Sequence, residues 1–564
     1  MTLHSLTRRR ALGAAASVLV GSKIAPGSTA GVQPAVERAV VAPRAELVNT
    51  LEYEQQAKLM LAPAVFSLIA GGDRSGSDRI TLRPRMLVDT RGLDLSVTLF
   101  GEQHFAPIVL GPVADQKRFH PDGELATVKG ASAARTVMMV SSRAGVPLQE
   151  IAAEARTALW YQVFAGDPAA RRQIQDAVNA RCSAICISAG AAPAASGTPR
   201  SAIAAKMDWS AVDALKRGLN VPMMVKGITT PEAAQLALQH GVDAIIVSNY
   251  DGLAGAATGS VVLTLPAIVD TVGGKVPVLV DGSFRRGTDI LEALAFGARG
   301  VLVARPAMWG LAAYGADGVR GIVEMLQTEL ARYMAMCGRP HLKAGPRDRP
   351  EDSGEAQNAG STAIVVTVDQ QASYYERTEH DRNLGGGPRR AGRGAAVPQE
   401  SSGPEKYRVS PVRLWYTWEY LDELRKIVKV PLLVKGILTA DDALLCLEHG
   451  VDGVIVSNHG GRSMDYGPST LEVLPEIVAA VRGRVRVITD SGYRRGTDIL
   501  KALALGANAV LLGRAPRWAL GAFGAPGVQR LLEIVQRELV EAAATAGRPT
   551  LASIDAGIVT TRFP

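Results

Sequence analysis

The sequence predicts an α/β protein: a (β/α)8 barrel, or TIM barrel, whose C-terminal half, strands 4–8, is present twice. Two observations lead to this prediction. Short apolar runs alternate with helical segments along the chain, and one long stretch repeats without a gap. Alternating strands and helices specify a parallel sheet, and their number and spacing favour the barrel. A doubly wound sheet is the alternative, weakened because no G-x-G-x-x-G opens a helix after the first strand.

Three strand candidates occur only once, at 106–114, 136–142 and 158–164. Each is a continuous apolar run, as expected for a strand buried on both faces of a parallel sheet. We assign barrel strands 1–3 to residues 45–180.

The remaining strands occur in two sets. Sliding the chain on itself by 209 positions (459 − 250) aligns "VPMMVKGITTPEAAQLALQHGVDAIIVSN" with "VPLLVKGILTADDALLCLEHGVDGVIVSN", and the match continues to about Leu342 and Leu551. A gapless match of this length indicates an internal duplication. In the second set, "TADDALLCLEHG" reads as a helix that starts at a threonine cap and ends at glycine. We define copy one as residues 181–342 and copy two as 361–555, with a polar, Pro/Gly-rich linker at 343–360.

The N-terminus predicts export. Residues 1–30 join an arginine cluster, Arg8 to Arg10, to a weakly apolar Ala/Gly-rich stretch and a small-residue region. This layout resembles a twin-arginine signal without its usual Phe, and it predicts a periplasmic protein; a cytoplasmic protein with a basic tail is the alternative. Proteins that use this route are carried folded around a cofactor, so a cofactor is expected.

Composition excludes several other classes. Lys and Arg are scattered despite the net charge of +8, so we expect no nucleic-acid partner. No apolar run approaches the roughly 20 residues of a spanning helix. Four cysteines without paired C-x-x-C spacing predict buried thiols, with no disulfide framework and no metal site.

Residues that can carry chemistry follow the strands of copy two. Lys435 follows strand 5 and would set a positive charge against an electron-rich group. His459 and Arg462 share the loop after strand 6, as a base and a guanidinium that can grip a carboxylate. Arg494 and Arg514 stand beside glycines after strands 7 and 8, where they suit a phosphate dianion. Active sites of (β/α)8 barrels lie at these strand ends, so we expect a site there.

These motifs resemble those of the FMN-dependent 2-hydroxy acid oxidoreductases, the family of glycolate oxidase, lactate oxidase and mandelate dehydrogenase. The resemblance rests on "SNHGGRSMDYGPST", "LLVKG", "DSGYRRGTDI" and "LLGR", with "TLEYEQQAK", "RPRMLVD" and "HPDGELAT" upstream. It covers about residues 45 to 555 once the repeat is allowed for. It implies FMN as cofactor, a small 2-hydroxy acid as substrate, oxygen or a redox partner as electron acceptor, and a homo-oligomer.

The resemblance also implies roles for individual residues. His459 would be the base, oriented by Asp369, and substrate contacts would come from Tyr53, Arg377, His459 and Arg462. FMN contacts would come from Pro112, Val113, Ala114, Ser141, Gln162, Thr367, Lys435, Ser457, Asp490, Ser491, Gly492, Tyr493, Arg494, Gly513 and Arg514. Two positions depart from the family pattern: Phe164 replaces a substrate-contacting Tyr, and Val113 replaces the usual Thr.

Copy one lacks the substrate-facing residues. Tyr250 stands in place of His459, Leu253 in place of Arg462 and Gly190 in place of Asp369, and the loop that holds Arg377 is absent. The flavin-type residues persist, as Lys226, Ser248, Asp281, Arg285 and Arg305. Since a tyrosine with a pKa near 10 cannot act as the base at neutral pH, we expect copy one to be inactive.

The repeat raises a question of topology. Five strands cannot close a barrel, so strands 1–3 must complete one copy and leave the other open. Chain contiguity favours copy one, and chemistry favours copy two, since His459 otherwise lacks Tyr53 and Ser141; pairing between two chains is a third route. We expect copy two to close the barrel of the active protein and to oxidise an L-2-hydroxy acid. The alternatives are a catalytically disabled flavin-binding or scaffolding protein, and an FMN barrel of other chemistry.

Overall fold

Eight parallel strands close a barrel in the computed structural model, with β10 pairing back onto β3. The (β/α)8 barrel predicted from the sequence is therefore confirmed. The barrel strands are β3 (Ile108–Leu110), β4 (Val137–Ser141), β5 (Leu159–Phe164), β6 (Ala184–Ser188), β7 (Met223–Ile228), β8 (Ala244–Ser248), β9 (Val278–Asp281) and β10 (Gly300–Val303). They are preceded by an antiparallel hairpin, β1 (Val97–Leu99) and β2 (Glu102–His104).

The helices of this part of the chain alternate with its strands. They are α1 (Thr50–Met60), α2 (Pro63–Phe66), α3 (Gly123–Ala133), α4 (Leu148–Glu154), α5 (Ala170–Asn179), α6 (Trp209–Lys216), α7 (Pro231–Gln239), α8 (Val261–Val272), α9 (Gly287–Ala295) and α10 (Arg305–Met336). The structure describes residues 42, 47, 50–67, 81–88, 90, 92–188, 209–249, 260–282, 284–339, 361–369, 403–407, 409, 417–461, 464 and 466–560. The predicted signal at 1–30 and the linker at 343–360 lie outside these residues.

The barrel interior is apolar at its amino-terminal end. Val109, Met139, Trp160, Met224 and Leu279 meet there as one buried cluster. The β1–β2 hairpin closes that end, with the Phe100 ring edge-on to Trp160 at a centroid distance of 5.5 Å. Alternate residues of a strand point to the same side, so the next inward positions lie at the carboxyl-terminal end of the barrel.

Copy two forms a separate five-stranded parallel sheet in the order β11-β12-β13-β14-β15. Its strands are β11 (Ile364–Thr367), β12 (Leu432–Ile437), β13 (Gly453–Val456), β14 (Arg486–Thr489) and β15 (Ala509–Val510), and its helices are α11 (Trp418–Ile427), α12 (Ala440–Glu448), α13 (Thr470–Val481), α14 (Gly496–Ala504) and α15 (Arg514–Thr545). The predicted cap of α12 is confirmed, since Thr439 Oγ1 accepts a hydrogen bond from Asp442 N at 3.2 Å. The element order matches that of copy one, while an origin by duplication stays a prediction.

The expectation that copy two closes with strands 1–3 is wrong for this structure. β5 pairs with β6 of copy one, and β10 pairs with β3. The physical reason is contiguity: β5 and β6 are joined directly by α5, whereas reaching copy two means closing a loop longer by the whole of copy one, which costs more chain entropy.

The described part of the chain has no helix long and apolar enough to cross a membrane.

Residues 81–88 hold copy two against the barrel. Met86 N donates to Asp442 Oδ2 at 3.0 Å, and Arg85 Nε donates to Asp442 Oδ1 at 2.9 Å. Met86 and Leu87 also belong to the apolar core of copy two. At the same time Arg85 N donates to Met336 O at the end of α10. The segment therefore touches both halves of the molecule.

A second bridge comes from residues 403–407 of copy two. Leu95 N donates to the Tyr407 hydroxyl at 2.6 Å, and that hydroxyl donates to Asp94 Oδ1 at 2.7 Å. Burial disfavours the Asp94 charge, but hydrogen bonds from Lys406, Ser96 and Tyr407 outweigh it and lower the pKa of Asp94. Burial also raises the pKa of Tyr407, whose ring lies in the barrel's outer core.

We predict that Asp442→Ala lowers the free energy of unfolding by about 1–3 kcal/mol, because it leaves the buried Met86 N–H without an acceptor. Asp441→Ala is the matched control: its carboxylate is 72% exposed and lies 3.4 Å from Arg85 Nη1, so its loss costs about 0–1 kcal/mol. Urea unfolding followed by circular dichroism measures both. Equal losses in the two variants would contradict the anchoring role of Asp442.

Candidate functional site

A polar layer occupies the carboxyl-terminal end of the closed barrel. The inward positions that follow the apolar layer are Ser141, Gln162, Ser188, Lys226, Ser248 and Asp281, and apart from Asp281 each is at most 4% exposed. Lys226 Nζ donates to Ser248 Oγ at 3.1 Å and pairs with Asp281 Oδ2 at 2.5 Å. Gln162 Nε2 donates to Ser188 Oγ at 2.6 Å. A buried ammonium requires such partners, so the lysine and its carboxylate form one unit.

Copy two repeats this unit at the same strand positions. Lys435 Nζ donates to Ser457 Oγ at 2.8 Å and lies 3.3 Å from Asp490 Oδ2. The Lys435 side chain is 16% exposed, compared with 4% for Lys226. The lysine of copy two therefore faces an open groove, because strands 1–3 do not cover it.

A histidine–aspartate pair lies beside this lysine. His459 Nδ1 is 3.0 Å from Asp369 Oδ1, and the Asp369 side chain is fully buried. His459 has a positive φ of 57° and its backbone N–H donates to Ser457 Oγ at 3.1 Å, so the loop fixes the ring's position. A carboxylate bonded to Nδ1 fixes the orientation and tautomer of an imidazole ring.

Gly436 makes room for this pair, a role that the sequence analysis missed. It has a φ of 115° and sits at a β-bulge between Lys435 and Ile437. A Cβ at Gly436 would lie 2.6 Å from Asp369 Cβ and 2.9 Å from its Cγ. Only glycine fits both constraints. The available signal was the "VKG" string, which both copies share.

The far end of the groove carries arginines and accessible backbone. Gly492 has a φ of 89°, and a Cβ at Gly492 or Gly513 would meet nothing within 4 Å. Arg514 Nη2 donates to Gly460 O at 2.9 Å, and the Arg494 guanidinium lies 5.3 Å from the Trp518 ring centroid. The groove holds about 850 Å³ of space, part of it open to solvent, and is lined by Thr367, Lys435, His459, Gly460, Asp490, Ser491, Gly492, Tyr493, Arg494, Leu511, Gly513, Arg514, Ala515, Arg517 and Trp518.

The structure divides the predicted site residues into two groups. Thr367, Lys435, His459 and the residues after β14 and β15 line the groove of copy two, with Ser457 and Asp369 bonded behind it. The other group lies on the closed barrel: Pro112 to Ala114 follow β3, Ser141 ends β4 and Gln162 lies in β5. Tyr53 is fully buried there, edge-on to Tyr314 at 5.5 Å. The single composite site expected from the sequence is therefore wrong for this structure. Arg377, Arg462, Tyr250, Leu253 and Gly190 lie outside the described residues.

Burial raises the pKa of one hydroxyl beside the groove and of several thiols elsewhere in the chain. Burial raises the pKa of the Tyr493 hydroxyl, which bonds to Thr489 Oγ1 at 3.0 Å. Burial likewise raises the pKa of the thiols of Cys182, Cys186 and Cys337 to about 12, and all four cysteines are free. The described residues hold no group of His, Cys, Asp and Glu able to bind a metal ion.

Lysines at the strand ends of both copies, together with the glycines and arginines after the last two strands of copy two, fit a phosphate-bearing cofactor on the (β/α)8 plan. The family model described as FMN-dependent dehydrogenase matches residues 71–195, 188–349 and 354–561. The chain belongs to this family, whose cofactor is FMN.

Individual relatives match about half of the chain. A peroxisomal (S)-2-hydroxyacid oxidase of Arabidopsis thaliana is 32% identical over 355 residues, which is 55% of this chain and 98% of the relative. The glycolate oxidase of Spinacia oleracea is 32% identical over 353 residues, 53% of this chain and 94% of the relative. A crystal structure of mandelate oxidase has 32% identity, covers 53% of this chain and 99% of its own, and superposes with a TM-score of 0.48.

The residues present fit FMN, in two portions. Copy two offers open backbone at Gly492 and Gly513 with Arg494 and Arg514 nearby, a donor set suited to a phosphate dianion. In copy one the position of Gly513 is Ala304, whose Cβ lies 3.3 Å from where a Cβ on Gly111 would be. The amide and hydroxyl groups suited to the polar edge of a flavin ring, Gln162 and Ser141, lie on the closed barrel.

We predict that Gly513→Ala weakens FMN binding by about 5- to 150-fold, the equivalent of the roughly 1–3 kcal/mol that an added methyl costs in a filled space. The substitution leaves thermal stability without FMN unchanged, because the new Cβ meets nothing within 4 Å in the free protein. Flavin fluorescence quenching and a melting curve measure the two quantities. Ala304→Gly is the matched control and leaves the FMN affinity unchanged. An unaltered FMN affinity in Gly513→Ala would mean that this loop does not bind the FMN phosphate.

Proposed function

We propose that the protein oxidises an L-2-hydroxy acid to the 2-oxo acid with FMN as electron acceptor and His459 as the base. The observation that carries this proposal is the 3.0 Å contact between His459 and the buried Asp369, beside Lys435 in one groove. The names of the relatives, (S)-2-hydroxyacid oxidase and glycolate oxidase, support the substrate class.

The reaction removes two electrons, the hydroxyl proton and the α-hydrogen from the substrate. His459 would take one proton, with Asp369 stabilising the imidazolium that forms, and the other hydrogen would leave the substrate with the electron pair. Arg462 and Arg377, both outside the described residues, would hold the substrate carboxylate as a guanidinium fork holds an anion. FMN supplies the acceptor for the electron pair, and oxygen or a redox partner would then reoxidise it. Lys435 places a positive charge where negative charge develops.

Copy one does not carry this chemistry in our proposal. Its lysine unit is intact, since Lys226 pairs with Asp281. The positions of His459, Arg462 and Asp369 are Tyr250, Leu253 and Gly190 in copy one, so the base, the clamp and the orienting acid are all replaced.

A second candidate function is a non-catalytic flavin-binding or scaffolding protein. One observation favours it: Ser141 and Gln162 lie on the barrel closed by copy one, away from His459. Anaerobic bleaching of the flavin absorbance by a panel of glycolate, lactate and mandelate separates the two functions. Bleaching supports the oxidation; flavin-loaded protein that no acid bleaches supports the second candidate.

We predict that His459→Gln lowers turnover by about 10²–10⁴-fold while bound FMN remains, because the change removes a base without removing a phosphate contact. The rate of flavin bleaching and the flavin content of the purified protein measure these effects.

The matched control is Tyr250→Phe, at the equivalent position of copy one, which leaves turnover unchanged. Tyr250→His restores no second site, since Leu253 and Gly190 still lack the clamp and the acid. If Tyr250→Phe were as damaging as His459→Gln, copy one would take part in the reaction and the assignment to copy two would fail.

We also propose that the protein is exported, on the strength of the Arg8-Arg9-Arg10 cluster and the small-residue stretch behind it. The mature chain then begins near residue 30 and is recovered outside the cytoplasm. N-terminal sequencing of the fractionated protein measures this. A chain that keeps Met1 or Thr2 and stays in the cytoplasm would contradict export.

A further inference from the structure

The last long helix occurs in both copies, buried in one and exposed in the other. α10 and α15 each have 32 residues and each is kinked at the same glycine, Gly315 or Gly524. α10 is almost wholly buried. On α15, apolar side chains at the matching positions are exposed to solvent. Each pair below gives the exposed fraction on α10 first and on α15 second: Trp309 0% and Trp518 53%, Leu311 0% and Leu520 55%, Val323 0% and Leu532 42%.

Helices α1 and α3 cover α10 in the closed barrel. Gln327 Nε2 donates to Ala134 O, at the end of α3, at 3.0 Å. The Tyr314 ring packs edge-on against Tyr53 of α1. Large apolar residues on an exposed helix face mark a surface that another element covers.

Copy two keeps the amide and the aromatic ring of those contacts, but not the Tyr314 hydroxyl, which donates to Ala42 O at 2.7 Å. Gln536 occupies the position of Gln327 and is exposed, and Phe523 occupies the position of Tyr314 and is 77% exposed. The face of α15 therefore presents an amide and an aromatic ring in the arrangement that α1 and α3 already bind on α10.

A second, independent observation concerns residues 81–88, which follow α1 in the chain. They dock on copy two, where Asp442 binds Arg85 and Met86, and Glu476 pairs with Arg83 at 2.6 Å. Copy one has alanine at both matching positions, Ala233 and Ala267. These contacts, made to α12 and α13, keep the segment that carries strands 1–3 next to copy two while it closes copy one.

We propose that the exposed face of α15 is a second docking surface for helices α1 and α3 of the same chain, so that these helices and strands β3–β5 can close either of two barrels. The two closures exclude each other, because the chain has one such segment and two halves that fit it. Closure on copy one joins neighbouring elements and costs less chain entropy. Closure on copy two would bring Ser141 and Gln162 to the groove of Lys435 and His459.

Ligands favour the closure that they bind. A ligand that binds only one state shifts the ratio of states by about 100-fold at a concentration about 100 times its Kd. This part rests on the proposed function: FMN together with a 2-hydroxy acid needs both the ring-edge groups and the base, and only closure on copy two joins them.

Cysteine cross-linking in the full chain tests the exchange. Ala134→Cys with Gln327→Cys reports closure on copy one, and Ala134→Cys with Gln536→Cys reports closure on copy two, both in a Cys337→Ser background and joined by a short bismaleimide. Ala134→Cys with Leu263→Cys, at a position on α8 that is 44% exposed, gives the level of chance collisions.

We expect the copy-two pair to exceed the control, within one chain, and to rise several-fold with FMN and glycolate. The copy-one pair, at positions 3% and 1% exposed, reacts only as that closure opens. Cross-linking of the copy-two pair no higher than the control, with or without ligands, would overturn the proposal. A product with the mass of two chains would assign the surface to a second copy and would also overturn closure within one chain.

The cross-linking result is independent of turnover. If the copy-two pair cross-links but no acid bleaches the flavin, the proposed oxidase function is contradicted and the exchange between closures is supported. If the protein turns over without that cross-link, the exchange is contradicted and the oxidase function is supported.

Discussion

The pairing of β10 with β3 decides the structure of the whole chain. A parallel barrel closes only when its last strand finds its first, and this chain offers two candidates for last strand, β10 and β15. Because β10 takes β3, copy one gains a complete interior, with apolar side chains at one end and a polar layer at the other. Copy two keeps the same strand order but ends at β11 and β15, which pair on one side only in the described residues.

Barrel closure changes the solvent exposure of ion pairs that occur at equivalent positions in both copies. Arg286 and Glu329 form an ion pair at 3.0 Å with side chains 10% and 9% exposed, whereas the equivalent Arg495 and Glu538 pair at 2.8 Å with 68% and 22% exposed. Removing one partner of a buried pair costs about 3–5 kcal/mol, whereas solvent screens an exposed pair, so that such a pair adds little to stability. Identical residues therefore hold the barrel firmly in copy one and contribute little in copy two.

The sequence predicted the elements but not the pairing between them. Strands, helix caps and the polar residues at strand ends are local patterns, and the lysine units at Lys226 and Lys435 form as those patterns indicate. Which copy receives β3 is not local: both copies have apolar strands of similar length, so periodicity cannot choose between them. Loop entropy and a few docking groups make the choice. The role of Gly436 was also hidden, since its reason is a clash with Asp369, 67 residues away in sequence (436 − 369).

The bulge at Gly436 has two roles in copy two: it places Lys435, and it makes room for Asp369. Copy one has the same feature, with Gly227 at a φ of 106° and a register shift between Lys226 and Ile228, although Gly190 there offers no carboxylate. The bulge is therefore not maintained by the carboxylate alone. What both copies share is the lysine that precedes the glycine, bonded in each case to a serine and an aspartate at or just after the ends of the next two strands. The bulge places that lysine in both halves, and in copy two it also clears the space in which Asp369 reaches His459.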